Sequence, residues 1–276
     1  MHSEDVLVGG VMCTVTFPKH SAKHVPVCFL LHQRLGSKSD MHGIAQRFAQ
    51  NGFFAVCFDA PNHGDRIVDS NRNKHWLDGN LTYAIDMYSQ MIATHREVQT
   101  MLDCLPAKLG ITFSTVALVG FSQGGHSSLL AFANEPRIDV CVSALSAGDY
   151  KQCTQLKYEY LSKVAQAKQR PELEPFQTLY PPALENVVEE MDPIHKLSTY
   201  SRLQRPLLMI NGAKDKLVPA QCNRSVYEKI KQEYQGFEQK LKHSVYPDLK
   251  HQVSKEMIDE CLEWVCRWTP LPSSNL

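Results

Sequence analysis

Apolar residues along this chain follow two alternating patterns. Short unbroken runs, "VPVCFLL" (25–31), "FFAVCFD" (53–59), "TVALVG" (115–120), "DVCVSAL" (139–145), "PLLMING" (206–212) and "KHSVY" (242–246), have the length and composition of strands. Between them lie helical stretches. The first, 39–52, is expected to open on Ser39 or Asp40 as N-cap and to close near Gly52. The longest, 81–105, repeats apolar positions at Leu81, Ala84, Ile85, Tyr88, Met91, Ile92, Val98, Met101, Leu102 and Leu105, the 3.6-residue period of an amphipathic helix. Further helices are predicted at 123–133, near 219–234 and at 253–268. Continuous apolar strands alternating with helices imply a mostly parallel sheet covered on both faces, an α/β fold. Residues 1–17 read as an added hairpin or edge strand. Residues 151–200 break the rhythm, being polar, tyrosine-bearing and proline-punctuated ("RPELEPFQTLYPPALE"), with no clear strand. The chain is therefore expected to form one α/β domain over 1–276, with 151–200 as a helical cap inserted within it.

Composition narrows the function by exclusion. Lys plus Arg equals Asp plus Glu at 29 each among 276 residues, so there is no basic excess of the kind nucleic-acid binding calls for. No apolar run approaches a membrane span, and "MHSEDVLVGG" lacks the basic-then-apolar order of a signal peptide. Nine cysteines, several inside apparent strands (Cys28, Cys57, Cys141) and none in a CxxC pair, read as reduced core thiols, which points to the cytoplasm.

Candidate chemistry centres on "VALVGFSQGGHSSLLAF" (116–132). Gly120-Phe121-Ser122-Gln123-Gly124 fits G-x-S-x-G, with a strand before it and a helix after it. A sharp strand-to-helix turn projects the serine oxygen beyond the carboxyl end of the sheet, where ligands bind in such folds. Bulky side chains at 120 and 124 would collide with neighbouring elements, so glycine stands there. A serine hydroxyl needs a base, and the base an orienting acid. In the order Ser, acid, His, the loop in "LLMINGAKDKLVP" supplies Asp215 and that in "VYPDLKHQVSKE" supplies His251, each just past a strand. Asp248 and His243 compete by proximity, but His243 falls within a strand pattern and Asp248 precedes the loop's tip. Asp192, His195, His126 and His63 lie elsewhere in the topology, and His126 reads as a buried structural histidine. His20 and His24 have metal-like spacing, yet the flanking Pro18 and Pro26 argue against a helix. No metal and no cofactor is expected.

With these residues identified, the chain resembles the α/β-hydrolase superfamily, in particular small serine esterases related to dienelactone hydrolases and prolyl-oligopeptidase catalytic domains. The resemblance covers roughly 25–150 and 200–268. It rests on "GFSQGG", on "FDAPNHGDR" (58–66), which looks like a D-x-P-x-H-G-x-R segment, on "NGAKDKLVP" and on "HQV". It implies a Ser122–Asp215–His251 triad and an oxyanion hole made by the backbone N–H groups of Gln123 and Arg34. The loop that usually reads His-Gly-x reads His32-Gln33-Arg34 here, so Gln33 is expected at the acyl pocket. Asp59, His63 and Arg66 are expected to scaffold the loop they belong to.

The reaction this implies is carboxylic-ester hydrolysis of a small molecule through an acyl-enzyme on Ser122. Thioester cleavage, amide or peptide cleavage, and a non-catalytic binding role stay open at this point. Phe176 and Tyr180 are expected to wall the substrate pocket, together with Tyr150, Tyr158 and Tyr160 of the cap.

Overall fold

The computed structural model describes residues 1–19, 22–202 and 204–270. Its strands are β1 (His2–Val8), β2 (Val11–Phe17), β3 (His24–Leu31), β4 (Phe54–Phe58), β5 (Thr112–Phe121), β6 (Val140–Ala144), β7 (Leu207–Gly212) and β8 (Leu241–Tyr246). They form one sheet in the order β1-β2-β4-β3-β5-β6-β7-β8. β1 pairs antiparallel with β2, and β2 with β4, which makes the N-terminal hairpin an edge; every other pairing is parallel. The order reverses around β3, so the crossovers place helices on both faces.

Side chains alternate along the central strands, and each face has its own core. Val27, Phe29 and Leu31 of β3 pack with Val98 and Leu102 of helix α2 (Tyr83–Leu109) and with Leu129 and Phe132 of α3 (Gln123–Asn134), once α1 (His42–Gln50) has crossed on the other side. Cys28 and Leu30 face the opposite way, against Ile44 and Phe48 of α1 and a C-terminal helix bearing Met257, Cys261 and Trp264. A strand buried on both faces has no polar side to show, which is why these runs are apolar throughout.

Two predicted boundaries shift. Neither Ser39 nor Asp40 caps the first helix: Met41 is the N-cap of α1, and a 3-10 turn capped by Ser37 leads into it, with Asp40 closing a capping box by accepting from the Ser37 N–H at 2.9 Å. The long helix runs past Leu105 to Leu109, with Pro106 inside it, and ends at Gly110 with φ +64°.

Between β6 and β7 the chain forms α4 (Tyr150–Ala167), α5 (Phe176–Leu179), α6 (Pro182–Met191) and α7 (Leu197–Arg202). Asp149 caps α4 by accepting from the Gln152 N–H at 2.9 Å. After β7 comes α8 (Gln221–Ile230), continued by a 3-10 turn, and after β8 comes α9 (Lys255–Trp268), capped by Ser254. No helix among the described residues is long and apolar enough to cross a membrane.

Candidate active site

The turn from β5 to α3 places Ser122 in a conformation that L-residues rarely adopt, φ +53° and ψ −114°. It is held there from both sides. Its N–H donates to Ala144 O at 2.8 Å, and its carbonyl accepts from the His126 N–H at 3.0 Å. Gly120 and Gly124 make the turn possible. A Cβ on Gly120 would lie 2.1 Å from Gly124 O, and one on Gly124 would lie 2.4 Å from Leu31 O. The end of β5, the first turn of α3 and the end of β3 therefore meet backbone to backbone.

Two later loops bring their side chains to this serine. Asp215 follows β7 and is buried. Its Oδ1 accepts from the N–H groups of Leu217 (2.8 Å) and Val218 (2.9 Å), which fixes the carboxylate and leaves Oδ2 free to face the next loop. There Oδ2 lies 2.6 Å from His251 Nδ1, and His251 Nε2 lies 2.8 Å from Ser122 Oγ. The two loops are tied together, the Lys214 N–H donating to Leu249 O at 3.0 Å. With Nδ1 donating to the carboxylate, Nε2 is left as the acceptor for the serine hydroxyl.

The competing residues are engaged elsewhere. Asp248 is exposed and pairs with Lys214 at 2.6 Å. His243 lies in β8 with Nε2 3.1 Å from Asn211 Oδ1, and its pKa is lowered to about 4, first by burial. His126 and the fully buried Asp192 hold each other at 2.9 Å, and Asp192 also accepts from Tyr88 OH and the Tyr150 N–H. His126 is thus buried and structural, although its ring also reaches the cavity beside Ser122. His63 Nδ1 is 2.9 Å from Pro61 O. His24 bonds Thr112 at 2.9 Å, while His20 lies outside the described residues.

His32, Gln33 and Arg34 follow β3. The Ala60 N–H donates to His32 Nε2 at 2.9 Å, so Nδ1 carries the proton that it shares with Gln33 O at 2.8 Å. This double attachment needs a neutral ring, and burial lowers the His32 pKa accordingly. The loop brings Gln33 and Arg34 to the same cavity as Ser122, Gln123 and His251. As the first residue of α3, Gln123 has an N–H with no intrahelical acceptor. The Arg34 side chain turns aside: Nη1 donates to Asn73 O, and the guanidinium lies 5.7 Å from the Tyr83 ring centre. Asp59 accepts from the Lys38 and Asp65 N–H groups, and Arg66 is clamped by Glu97 at 2.6 and 3.0 Å.

The cavity over Ser122 measures about 330 Å³. Its far wall is α4, which presents Tyr150, Cys153, Thr154, Lys157 and Leu161. Phe176 and Tyr180, expected at the pocket, do not line it. Their rings stack on each other at 5.3 Å, behind Tyr150, which packs against Tyr180 at 6.4 Å and itself faces the cavity. A four-residue helix behind an eighteen-residue one supplies backing instead of surface. Lys157 and Cys153 were missed by sequence reading. Their signal was the four-residue spacing of Cys153, Lys157 and Leu161, which puts them on one face of a helix that the polar composition of 151–200 concealed.

The sheet order, the helices on both faces and the strand–serine–helix turn define the α/β-hydrolase fold. Within that fold, the profile of the Dienelactone hydrolase family matches residues 12–257, and the chain belongs to this family of esterase-like hydrolases. It is 24% identical over 243 residues, 87% of this chain and 88% of the other, to the protein named Putative esterase YitV of Bacillus subtilis (strain 168). Among solved structures it is similar to TT1662 from Thermus thermophilus, with a TM-score of 0.73, 19% identity and 97% of each chain covered. It is also similar to the Pyrococcus furiosus esterase Pf2001, with a TM-score of 0.59, 16% identity and 97% and 93% covered.

Proposed function

We propose that this protein is a serine hydrolase that cleaves carboxylic esters through an acyl-enzyme on Ser122. The observation that carries the reading is the continuous relay at the floor of the cavity, Ser122 Oγ to His251 Nε2 at 2.8 Å and His251 Nδ1 to Asp215 Oδ2 at 2.6 Å. Ser122 Oγ attacks the acyl carbonyl while His251 takes its proton. Asp215 holds the imidazole tautomer and stabilises the cation that forms. The N–H groups of Gln123 and Arg34 receive the oxyanion, each such donor lowering the barrier by about 3 kcal/mol. His251 then returns the proton to the leaving alcohol and activates water for deacylation. Neither proton transfer requires a cofactor.

In this reading the 151–200 segment acts as a cap within one domain, α4 shaping the side of the cavity opposite the nucleophile. It also gives that side a sign. Among the described residues no aspartate or glutamate lines the cavity, whereas Lys157, on α4, does. Lys157 Nζ donates to Tyr83 OH at 2.9 Å, and its ammonium has two further donors to offer. A recessed cation without a carboxylate is costly unless a ligand supplies the charge. The pocket therefore favours small esters whose acyl or alcohol portion carries a carboxylate or another anion.

Hydrolysis of p-nitrophenyl butyrate and of the mono-p-nitrophenyl ester of succinic acid tests both levels. Ser122→Ala should abolish both activities. Lys157→Met should lower kcat/KM for the succinate ester about tenfold while sparing the butyrate, the loss of one charge-assisted hydrogen bond. Equal loss on both esters would refute the anionic preference and leave the serine chemistry standing.

A further inference from the structure

The relay described above leaves one pair of nucleophilic groups in the cavity wall unused. Cys153, in the first turn of α4, is the only cysteine among the residues lining the cavity. Cys222, the second residue of α8, is fully buried directly behind it. The two side chains are buried together in one small apolar cluster with Ala147 and Val218. Their helices are closely seated: Cα atoms of α4 and α8 approach within 8 Å, Ser225 Oγ donates to Gln152 Oε1 at 3.0 Å, and a Cβ on Gly148 would lie 2.9 Å from Val226.

The pair also differs electrostatically from the other core thiols. Burial raises the pKa values of Cys13, Cys57, Cys141 and Cys261, as expected of inert sulfur in an apolar core. Cys153 moves the other way. The neighbouring Cys222 thiol favours its thiolate and outweighs burial, and the Lys157 ammonium, one turn along α4, adds positive charge; Cys222 is pushed up. A thiolate at a cavity wall with a protonated thiol behind it has the layout of an attacking and a resolving cysteine.

We propose that Cys153 and Cys222 are a reactive dithiol that a small hydroperoxide entering the cavity oxidises to a disulfide, fastening α4 to α8 beside the Asp215 loop. The Cys153 thiolate attacks the peroxide oxygen; the S–O bond forms, the O–O bond breaks, and the departing alkoxide or hydroxide takes a proton from solvent. Cys153 is then a sulfenic acid, oxidised by two electrons. The Cys222 sulfur attacks it, the S–S bond forms and the S–O bond breaks, and the Cys222 proton leaves with the hydroxide as water. Excess thiol reductant reverses the bond by exchange. α8 begins one turn beyond Val218, whose N–H holds Asp215, so the cross-link fixes the wall of the cavity to the loop that carries the acid.

The test is peptide mapping by mass spectrometry after brief treatment of the whole protein with hydrogen peroxide, with exposed Cys104 as an internal gauge of general oxidation. The expected product is a loss of about 2 Da per chain, with the Cys153 and Cys222 peptides linked and released by dithiothreitol. In Cys222→Ala the intermediate should be trapped, with dimedone adding to Cys153, whereas wild type should give little adduct. Oxidation of Cys104 before any Cys153–Cys222 link appears would overturn the proposal. So would Cys153 passing to sulfinic acid while Cys222 remains a thiol. None of these readouts depends on ester hydrolysis, so failure here is separate from failure of the proposed activity.

Discussion

A methyl group added at Gly124 would enter a contact too narrow for it between α3 and the end of β3. Its Cβ would stand 2.4 Å from Leu31 O and 2.6 Å from His32 O, where ordinary contacts begin near 3.4 Å. Both oxygens belong to the backbone at the end of β3, and Leu31 is registered against Gly120 in the sheet, so the strand has little room to move. Relief must come from α3, displaced by about 1 Å in a core packed at crystal-like density. Ser122 stands two residues upstream and moves with it, which stretches the 2.8 Å contact to His251 beyond hydrogen-bond range. A 1 Å misplacement of a reacting group costs roughly 100-fold in rate, and overpacking costs about 1–3 kcal/mol of stability. Gly124→Ala should therefore lower kcat/KM on p-nitrophenyl butyrate by about two orders of magnitude, with a fall in melting temperature of several degrees. Gly43→Ala in α1 is the control, because its Cβ meets nothing within 4 Å, and it should leave activity unchanged while raising stability slightly. A Gly124→Ala protein with wild-type kinetics would refute the backbone-contact account of how the serine is placed.

Three further outcomes follow from the same geometry. Ser122→Ala and His251→Ala should each cut kcat by roughly 10⁴ or more, and the double variant should be little worse than either, because the residues act as one unit; additive losses would mean that another base serves the serine. Tyr180→Ala should cost about 3 kcal/mol in urea denaturation, as its buried ring is lost from the stack with Phe176. It should leave the acyl chain-length preference unchanged, and a changed preference would return Tyr180 to the pocket. His95 is buried, and burial, aided by the Arg96 charge, lowers its pKa to about 4 from 6.5. A base depressed in the folded state binds its proton more readily when unfolded, so the stability it confers is complete above pH 6.5 and is lost as pH falls toward 4. Its share is about 3 kcal/mol; if the stability difference between pH 7 and pH 4 does not shrink by about this much in His95→Gln, the assignment fails.

The contrast between what was legible in the chain and what was not has a physical basis. β3, β5 and β7 are buried on both faces, so their unbroken apolar runs could hardly be read otherwise. Ser122 and Asp215 each follow such a run, His251 follows the more polar edge strand β8, and the topology of a parallel sheet carries all three to one edge. The reading failed where burial is one-sided and layered. Lys157 and Cys153 face the cavity from a helix whose outer face is polar, and its period was lost among lysines and glutamines. Phe176 and Tyr180 drew attention as aromatics near the site, but composition does not tell the ring that lines a cavity from the ring stacked behind it. Ser37 was passed over as a cap because the turn it opens is 3-10, one turn ahead of the apolar period that marks α1.

The central claim is that Ser122 is the nucleophile, and covalent capture measures this directly. Wild-type protein incubated with a fluorophosphonate should gain a single phosphonyl group, located on Ser122 by peptide mass spectrometry. The rate of capture should fall by orders of magnitude in His251→Ala and Asp215→Asn, and Ser122→Ala should gain nothing. Unmodified wild-type protein, or a phosphonyl group on any other residue, would contradict the account.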